Sequence, residues 1–343
     1  MVLEVSIKKN LRDFVLNVTF QVQDEVFALL GASGCGKSMT LKTIAGIETP
    51  DEGKIILNGR ILFDSDKKIN LPPQARRVGY LFQNYALFPN MTVAENILFA
   101  AVGSQSEKIQ KLRENLARFE LNGLENSYPG ELSGGQQQRV AFARILSSHA
   151  EILLLDEPFS ALDNFLKWRL ELELEEIFQS YGGAAILVSH DRGEVFRLSD
   201  KIAVMSQGKI SEANTKQEIF KNPKTVAAAT LTGCKNISAA KKIDANKIFA
   251  TDWNITLTLN KKIPDDLKFV GIHSNFLENA TAGENVFPFE VAKEIEDTFF
   301  YIVMLRAGKN LIRWEVQKNL WQKIKAAEIS INFPAEKIIL MNG

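Results

Sequence analysis

The segment GASGCGKS at residues 31–38 constrains the fold of this chain more than any other stretch. It matches the phosphate-loop pattern GxxxxGK(S/T) at every fixed position. An apolar run at residues 26–30 precedes it and predicts a buried strand, while residues 39–45 have helical spacing. A strand, a glycine loop and a helix in this order are the context that a phosphate loop requires. The sequence therefore predicts an α/β fold built around a phosphate-binding turn.

The chemistry of this loop favours a nucleotide and its metal ion. Its glycines let successive N–H groups point at phosphate oxygens, and the helix adds partial positive charge at its N-terminus. Lys37 would reach the β- and γ-phosphates, and the Ser38 hydroxyl would bind Mg²⁺. The alternative is a glycine-rich turn without a ligand, which the flanking strand and helix argue against. The predicted nucleotide-binding residues of the loop are Gly31, Ala32, Ser33, Gly34, Cys35, Gly36, Lys37 and Ser38.

The composition fits a globular protein, and 343 residues are enough for two domains. The 41 basic and 41 acidic residues cancel, which gives no support to a nucleic-acid partner held by a basic field. The two cysteines, Cys35 and Cys234, do not make a disulfide framework and suit a reducing compartment. A signal-peptide pattern and an apolar run of about 18 residues are both missing. Any role at a membrane would therefore need a partner.

Hydrophobic patterns divide the chain into regions. Alternation predicts antiparallel strands before the phosphate loop and a hairpin at Asn58-Gly59. Helical spacing at about residues 84–150 predicts a helical insertion in the α/β domain, and later apolar runs predict buried parallel strands. We expect the α/β domain to cover residues 1–222 and a small-residue connector to cover 223–235. Short strands separated by turns then predict an all-β barrel at residues 236–343.

Polar residues follow the buried strands of the predicted sheet. Because ligands bind at the carboxyl ends of parallel strands, we expect Ser38, Gln83, Asp156, Glu157 and His190 to meet at one nucleotide. Asp156 would bind Mg²⁺, Glu157 would act as the general base, and His190 would donate to the γ-phosphate. Gln83 would contact both the metal and the attacking water. A single glutamine or histidine at a strand end is usually just a hydrogen-bonded polar residue, but their joint occurrence after a phosphate loop favours catalysis.

The segment Leu132-Ser133-Gly134-Gly135-Gln136 predicts a second anion site, because its glycines open another helix. The phosphate loop already supplies ligands to its own nucleotide. We therefore expect this second site to cover the nucleotide of another copy, so that two chains arranged head to tail bury two ATP molecules.

Together, these motifs resemble those of the ATP-binding-cassette (ABC) ATPases, in the family's order and over about residues 1–222. The matching pieces are residues 31–38, Gln83, residues 132–136, residues 152–157, residues 160–163 and His190. The resemblance implies a P-loop NTPase cassette with a mixed sheet, an antiparallel β subdomain and a helical insertion. It implies ATP and Mg²⁺ as cofactors, and a homodimer that closes on ATP and opens after hydrolysis.

The resemblance also implies roles for further residues. Residues 133–135 would contact the partner's γ-phosphate, and Asp163 would communicate across the dimer. Met39 is counted with the cofactor-binding residues, although the family commonly has a small hydroxyl residue there. The family usually stacks an aromatic residue on adenine. Phe14 is the nearest candidate, at a short spacing from Gly31.

Residues 84–93 resemble those of binding-protein-dependent importers. This resemblance implies integral-membrane permease subunits as partners, an extracytoplasmic solute-binding protein as an indirect partner, and a location at the cytoplasmic face of the cell membrane. Residues 70–80, 166–174 and 231–238 are similar to molybdate and sulfate importer ATPases, and the C-terminal portion resembles their regulatory β-barrel. Molybdate is therefore the expected solute.

Three alternatives remain open. The first is an importer ATPase for sulfate, iron, a polyamine or a sugar. The second is a soluble cassette protein that acts on DNA or the ribosome, although such proteins typically carry two cassettes or a coiled-coil insertion. The third is a regulator that binds ATP without hydrolysing it, which the intact Glu157 and His190 argue against.

Overall fold

The computed structural model describes residues 2–160, 164–181, 183–308 and 310–343. The chain divides into two compact units, Met1–Lys216 and Gln217–Gly343. Asp163, the predicted contact across a dimer, lies outside the described residues. Among the described helices, none is both long and apolar enough to cross a bilayer.

The first unit alternates strands and helices. In chain order its elements are β1 (Leu3–Asn10), β2 (Val15–Val22), β3 (Val26–Gly31), α1 (Lys37–Ala45), β4 (Glu52–Leu57), β5 (Arg60–Asp64), β6 (Ile69–Asn70), α2 (Pro73–Arg76), β7 (Val78–Leu81), α3 (Val93–Ala100), α4 (Gln105–Arg118), α5 (Gly134–Ser147), β8 (Ile152–Asp156), α6 (Asn164–Tyr181), β9 (Ala184–Ser189), α7 (Arg192–Leu198), β10 (Lys201–Ser206) and β11 (Lys209–Thr215). Helix α8 (Lys216–Lys221) crosses the division between the units.

The six-stranded sheet at the centre of this unit has the order β11-β10-β3-β9-β8-β7. Neighbours from β10 to β7 are parallel, and only β11 runs antiparallel. Every residue of β3, β8 and β9 is buried, as expected for strands covered on both faces. The carboxyl ends of β3, β7, β8 and β9 therefore share one edge, where the phosphate loop begins.

A second, antiparallel sheet has the order β2-β1-β4-β5-β6. Residues of β2 alternate between exposed and buried, because one face packs on the core shared with the central sheet. The predicted hairpin is present: Leu57 pairs with Arg60, and Asn58 and Gly59 both have positive φ. Helices α3 and α4 pack on α5 as the predicted helical insertion. The predicted α/β architecture with an antiparallel β sheet and a helical insertion is confirmed.

The second unit is mostly β. Its elements are α9 (Val226–Thr232), β12 (Asn236–Lys242), β13 (Lys247–Ala250), β14 (Ile255–Thr258), β15 (Phe269–Ile272), β16 (Glu278–Asn279), β17 (Val286–Glu296), β18 (Phe300–Ala307), β19 (Asn310–Gln317), α10 (Lys318–Ile324), β20 (Ile329–Asn332) and β21 (Ile339–Met341). The strands form two five-stranded antiparallel sheets, ordered β14-β13-β12-β15-β21 and β16-β20-β17-β18-β19. Both sheets contribute to one apolar core that contains Trp253, Trp314 and Phe333.

The small-residue stretch that we predicted as part of a connector contains a helix. Helix α9 begins after Thr225, whose hydroxyl accepts a hydrogen bond from the Ala228 N–H, and it ends at Gly233 with φ 103°. Alanine has the strongest intrinsic preference for helix, and a threonine cap and a left-handed glycine are ordinary helix boundaries. The boundary residues Thr225 and Gly233 thus define a helix within the predicted connector, whose role as a connector stays a prediction.

Candidate functional site

The glycines of the phosphate loop are required by its geometry. A Cβ at Gly31 would lie 2.5 Å from the Met205 carbonyl oxygen and 2.6 Å from Cys35 Sγ, so only glycine fits there. Gly34 and Gly36 have φ of 81° and 108°, in the left-handed region that favours glycine. The loop can therefore curl tightly between β3 and α1.

The turn between β10 and β11 supports this loop from the side. The Gly208 N–H donates to the Cys35 carbonyl oxygen at 3.0 Å. Burial raises the pKa of the Cys35 thiol, so this cysteine stays neutral and serves as a packing residue of the loop. The Phe14 ring lies beside the same loop, 3.4 Å from the position that a Cβ on Gly36 would take. Stacking of Phe14 on adenine stays a prediction.

Lys37 is buried at the start of α1. Its Nζ donates to the carbonyl oxygens of Gly31 at 2.8 Å and Ala32 at 3.0 Å. An ammonium has three N–H groups, so one more can reach a phosphate oxygen. Gly36 caps α1 without a side-chain hydrogen bond, and the first N–H groups of the helix remain suited to an anion. Met39 packs partly against the apolar core of this unit.

Two of the three predicted metal ligands, Ser38 and Asp156, contact each other. The Ser38 hydroxyl donates to Asp156 Oδ1 at 2.7 Å, and Asp156 is only 6% exposed. A hydroxyl and a carboxylate from neighbouring elements are the oxygen ligands that Mg²⁺ prefers, and the remaining positions of its shell would go to phosphates and water. The residues therefore fit this ion.

Tyr80 also contacts Asp156, and the sequence motifs did not predict this residue as part of the site. Its hydroxyl donates to Asp156 Oδ2 at 2.9 Å from the adjacent strand β7. Burial, followed by the charge of Asp156, raises the pKa of Tyr80, so the phenol stays protonated as a donor. A tyrosine three positions before Gln83, in an otherwise apolar strand, was the available signal.

The predicted general base and the predicted phosphate donor also meet. Glu157 Oε1 lies 3.3 Å from His190 Nδ1. Glu157 has φ 48°, and its N–H donates to the Val188 carbonyl oxygen at 3.0 Å. A glutamate in the left-handed region costs about 1 kcal/mol or more, and such strain is concentrated at functional sites. Glu157 therefore lies in a strained turn with its carboxylate next to His190.

Gln83 follows β7 at the same sheet edge, with an exposed side chain. Within the described residues, the hydrogen bonds around Asp156 do not include it. The segment after it is held from the helical insertion: Arg144 donates to the carbonyl oxygens of Tyr85 and Ala86 at 2.9 and 2.8 Å. Both of these residues have positive φ. Gln83 thus lies at the sheet edge that carries the site, just before a loop that Arg144 holds by two hydrogen bonds. Its contacts with the metal and the attacking water stay a prediction.

The Ser133 motif forms the N-terminus of α5 through a capping box. The Ser133 hydroxyl accepts from the Gln136 N–H at 3.3 Å, and Gln136 Oε1 accepts from the Ser133 N–H at 2.9 Å. Ser133 and Gly134 are exposed, whereas Gly135 is buried. These residues are not part of the polar cluster at Asp156 and Glu157, which agrees with a role towards another copy. Their contact with a phosphate stays a prediction.

Comparison with known proteins identifies the family of this cassette. The family model described as "ABC transporter" matches residues 15–160. The chain is 44% identical over 222 residues to the spermidine/putrescine import ATP-binding protein PotA of Acidothermus cellulolyticus, covering 63% of this chain and 56% of that relative. It is 39% identical over 251 residues to the Fe(3+) ions import ATP-binding protein FbpC of Haemophilus influenzae, covering 72% of this chain and 71% of that relative.

Solved structures agree with these relatives. A dimeric structure of the ATP-binding cassette MJ0796 in a post-hydrolysis state, bound to ADP and Pi, matches 63% of this chain and 99% of its own with a TM-score of 0.54 and 27% identity.

The chain spans 56 to 66% of the lengths of five polyamine-import relatives that it matches. From the phosphate loop, the site geometry and these similarities, we conclude that this chain belongs to the ABC transporter family, among its ATP-binding proteins.

Proposed function

We propose that this chain is the ATP-hydrolysing subunit of a binding-protein-dependent importer. One observation carries the proposal: a phosphate loop, an oxygen pair suited to Mg²⁺ and a glutamate–histidine pair meet at one sheet edge. The names of the relatives as import ATP-binding proteins support the transport assignment. We expect the subunit to act at the membrane through permease partners.

In the proposed reaction, the loop N–H groups and Lys37 hold the phosphates of ATP. Ser38 and Asp156 would hold Mg²⁺, which would supply charge neutralisation for the phosphates of ATP. Glu157 accepts a proton from the attacking water as general base. Because His190 Nδ1 faces Glu157, its Nε2 is the nitrogen that would donate to the γ-phosphate.

The proposed catalyst is a head-to-tail homodimer. The exposed Ser133 and Gly134 of one copy would cover the γ-phosphate held by the other copy. Gln138 lies one turn further along α5, and its Nε2 donates to the Pro158 carbonyl oxygen at 2.9 Å. A phosphate bound at the start of α5 would therefore be linked through one side chain to the segment that follows Glu157. Dimeric cassettes among the solved structures support the formation of a dimer.

For the solute, we infer a polyamine or iron. The relatives reported above are named for spermidine/putrescine and Fe(3+) import, and they give no support to the molybdate that the sequence motifs suggested. Uptake of spermidine, Fe³⁺ and molybdate by cells with and without the gene tests this inference. Dependence of molybdate uptake alone would contradict it.

Glu157→Gln tests the proposed chemistry. We expect ATP hydrolysis to fall by roughly 10²–10⁴-fold with ATP binding retained, because the amide fills the same space but cannot accept the proton. Glu176→Gln, an exposed position on α6, is the control and should keep wild-type activity. Hydrolysis by Glu157→Gln at the wild-type rate would remove Glu157 as the base.

Ser133→Arg tests the dimer. Light scattering of Glu157→Gln with ATP should show a dimer, and adding Ser133→Arg should leave a monomer. Ser104→Arg is a matched control, because Ser104 is also an exposed cap with a capping box, on α4. If both arginine variants dimerise equally, the head-to-tail arrangement is wrong.

A further inference from the structure

A lysine on α6 holds the loop that carries His190. Lys167 Nζ lies 2.6 Å from Asp191 Oδ2 and 2.6 Å from Glu194 Oε1, and the lysine side chain is 17% exposed. Asp191 directly follows His190 and caps α7, and Glu194 lies in the first turn of that helix. One ammonium therefore joins α6 to both acids that follow His190.

These contacts are part of a closed polar network. Asp191 Oδ1 accepts from the N–H groups of Gly193 at 2.7 Å and Glu194 at 3.2 Å. Glu194 Oε2 accepts from the Ser189 hydroxyl at 2.5 Å, and Ser189 Oγ accepts from the Asp191 N–H at 2.9 Å. Lys167 takes the remaining oxygen of each acid. The loop from residue 189 to residue 194 is thus fixed on both sides of His190.

Among the described residues, Lys167 is the cation whose ion pairs join both acids of this network. Glu194 is 4% exposed, and two carboxylates held this close repel each other when no cation lies between them. Arg197, on the same helix, adds charge near the two acids, but it hydrogen-bonds to Glu171, through Nε at 2.6 Å and Nη2 at 2.9 Å. Removal of Lys167 would therefore loosen the cap and the loop together.

His190 depends on this loop because packing does not hold its ring. The imidazole is 57% exposed, and its contact with Glu157 is 3.3 Å long. We propose that Lys167 is a positioning residue, which holds His190 against Glu157 for ATP hydrolysis. This inference rests on the proposed function for its kinetic consequence, whereas the placement of the ring can be measured without it.

The kinetic test compares the full-length wild type with Lys167→Met, Lys167→Arg and the control Arg169→Met. Arg169 lies on the same helix, and its side chain is 51% exposed with Glu173 as a partner. We expect Lys167→Met to lower kcat about tenfold with KM for ATP changed less than about twofold, since small misplacements of catalytic groups act mainly on turnover. Lys167→Arg should restore most of the activity, and Arg169→Met should match the wild type.

A His190→Ala background separates positioning from general stability. If Lys167 acts through His190, Lys167→Met should cause no further loss of kcat there, because the two effects are coupled. An equal loss in both backgrounds overturns the proposal. Wild-type protein that fails to hydrolyse ATP contradicts the proposed function instead.

A nuclear magnetic resonance measurement makes the test independent of activity. The chain has three histidines, so the His190 imidazole signal is identified by its loss in His190→Ala. Lys167→Met should move this signal and leave those of His149 and His273 in place. An unmoved signal overturns the proposal. If Lys167→Met does not fold, Lys167→Gln, which keeps one donor group, should give the same changes at smaller size.

Discussion

Arg76 offers the sharpest test of how the nucleotide-binding helix is held in place. It is fully buried, and its Nη1 donates to the carbonyl oxygens of Thr43 at 2.8 Å and Ile44 at 2.9 Å in the last turn of α1. Its Nε donates to the Leu71 carbonyl oxygen at 2.8 Å, and its Nη2 to Asn70 Oδ1 at 2.8 Å. The start of α1 carries Lys37 and Ser38, so this arginine anchors the opposite end of the same helix.

The cost of Arg76→Met follows from these acceptors. Thr43 keeps a second donor, the Gly46 N–H at 3.2 Å, and Asn70 is exposed to water. The loss falls mainly on the carbonyl oxygens of Ile44 and Leu71, at about 1–3 kcal/mol each. A cation near a helix C-terminus adds about 0.3–1 kcal/mol. Burial lowers the pKa of Arg76 to about 10, which shows that burying its charge is unfavourable. Methionine carries no charge, so the substitution removes this unfavourable term and offsets part of the loss. We expect a net destabilisation of about 3 kcal/mol.

Denaturant unfolding followed by far-ultraviolet circular dichroism measures this change, because the long helices lie in the first unit. Arg77→Met is the matched control: Arg77 is the next residue, is 65% exposed, and pairs with Glu151 at 3.2 Å on the surface. Such a pair contributes at most about 1 kcal/mol. If the free energies of unfolding of the two variants differ by less than about 1 kcal/mol, the buried hydrogen bonds of Arg76 do not stabilise α1 as argued.

Three further predictions concern the site and its stability. Tyr80→Phe should weaken Mg²⁺ binding in the presence of ATP by about 3–10-fold, since a net hydrogen bond contributes about 1 kcal/mol. Tyr85→Phe should leave Mg²⁺ binding unchanged, because the buried Tyr85 hydroxyl has no hydrogen-bond partner among the described residues. Titration with Mn²⁺ monitored by electron paramagnetic resonance measures both affinities. Gly31→Ala should abolish nucleotide binding, measured by fluorescent-nucleotide titration, because the new Cβ would lie 2.5 Å from a backbone oxygen. Gly34→Ala places its Cβ in open space and should lower the free energy of unfolding by only about 1 kcal/mol. Burial alone would raise the pKa of Asp191, but hydrogen bonds from Lys167 and the loop N–H groups outweigh it and lower the pKa below 3.8. The resulting stability is present above pH 3.8 and is lost as pH falls through the lower folded pKa, so Asp191→Asn should flatten the acid end of the stability curve measured by unfolding at a series of pH values.

Several features of the fold were predictable because they depend on residues close together in the chain. The glycines of the phosphate loop and the Asn58-Gly59 turn adopt positive φ for reasons local to their own backbone. The bounds of β12 and β17 depend on the tertiary structure, since their exposed faces carry many polar residues and their apolar residues become significant only against the shared core. Molybdate was expected from motifs that the site geometry does not constrain, and relatives named for other solutes did not support it.

The sequence by itself determined that a phosphate loop would lie between a buried strand and a helix, and that polar residues would follow the neighbouring strands. A short pattern of glycine, lysine and serine needs no distant partner to adopt its shape. Only the tertiary structure decided which side chains meet there. The hydroxyl of Tyr80 reaches Asp156 because β7 lies beside β8, and Lys167 reaches the His190 loop because α6 packs on α7. These partners are 76 and 24 residues apart in the chain, and strand order and helix packing, which bring them together, are properties of the whole core.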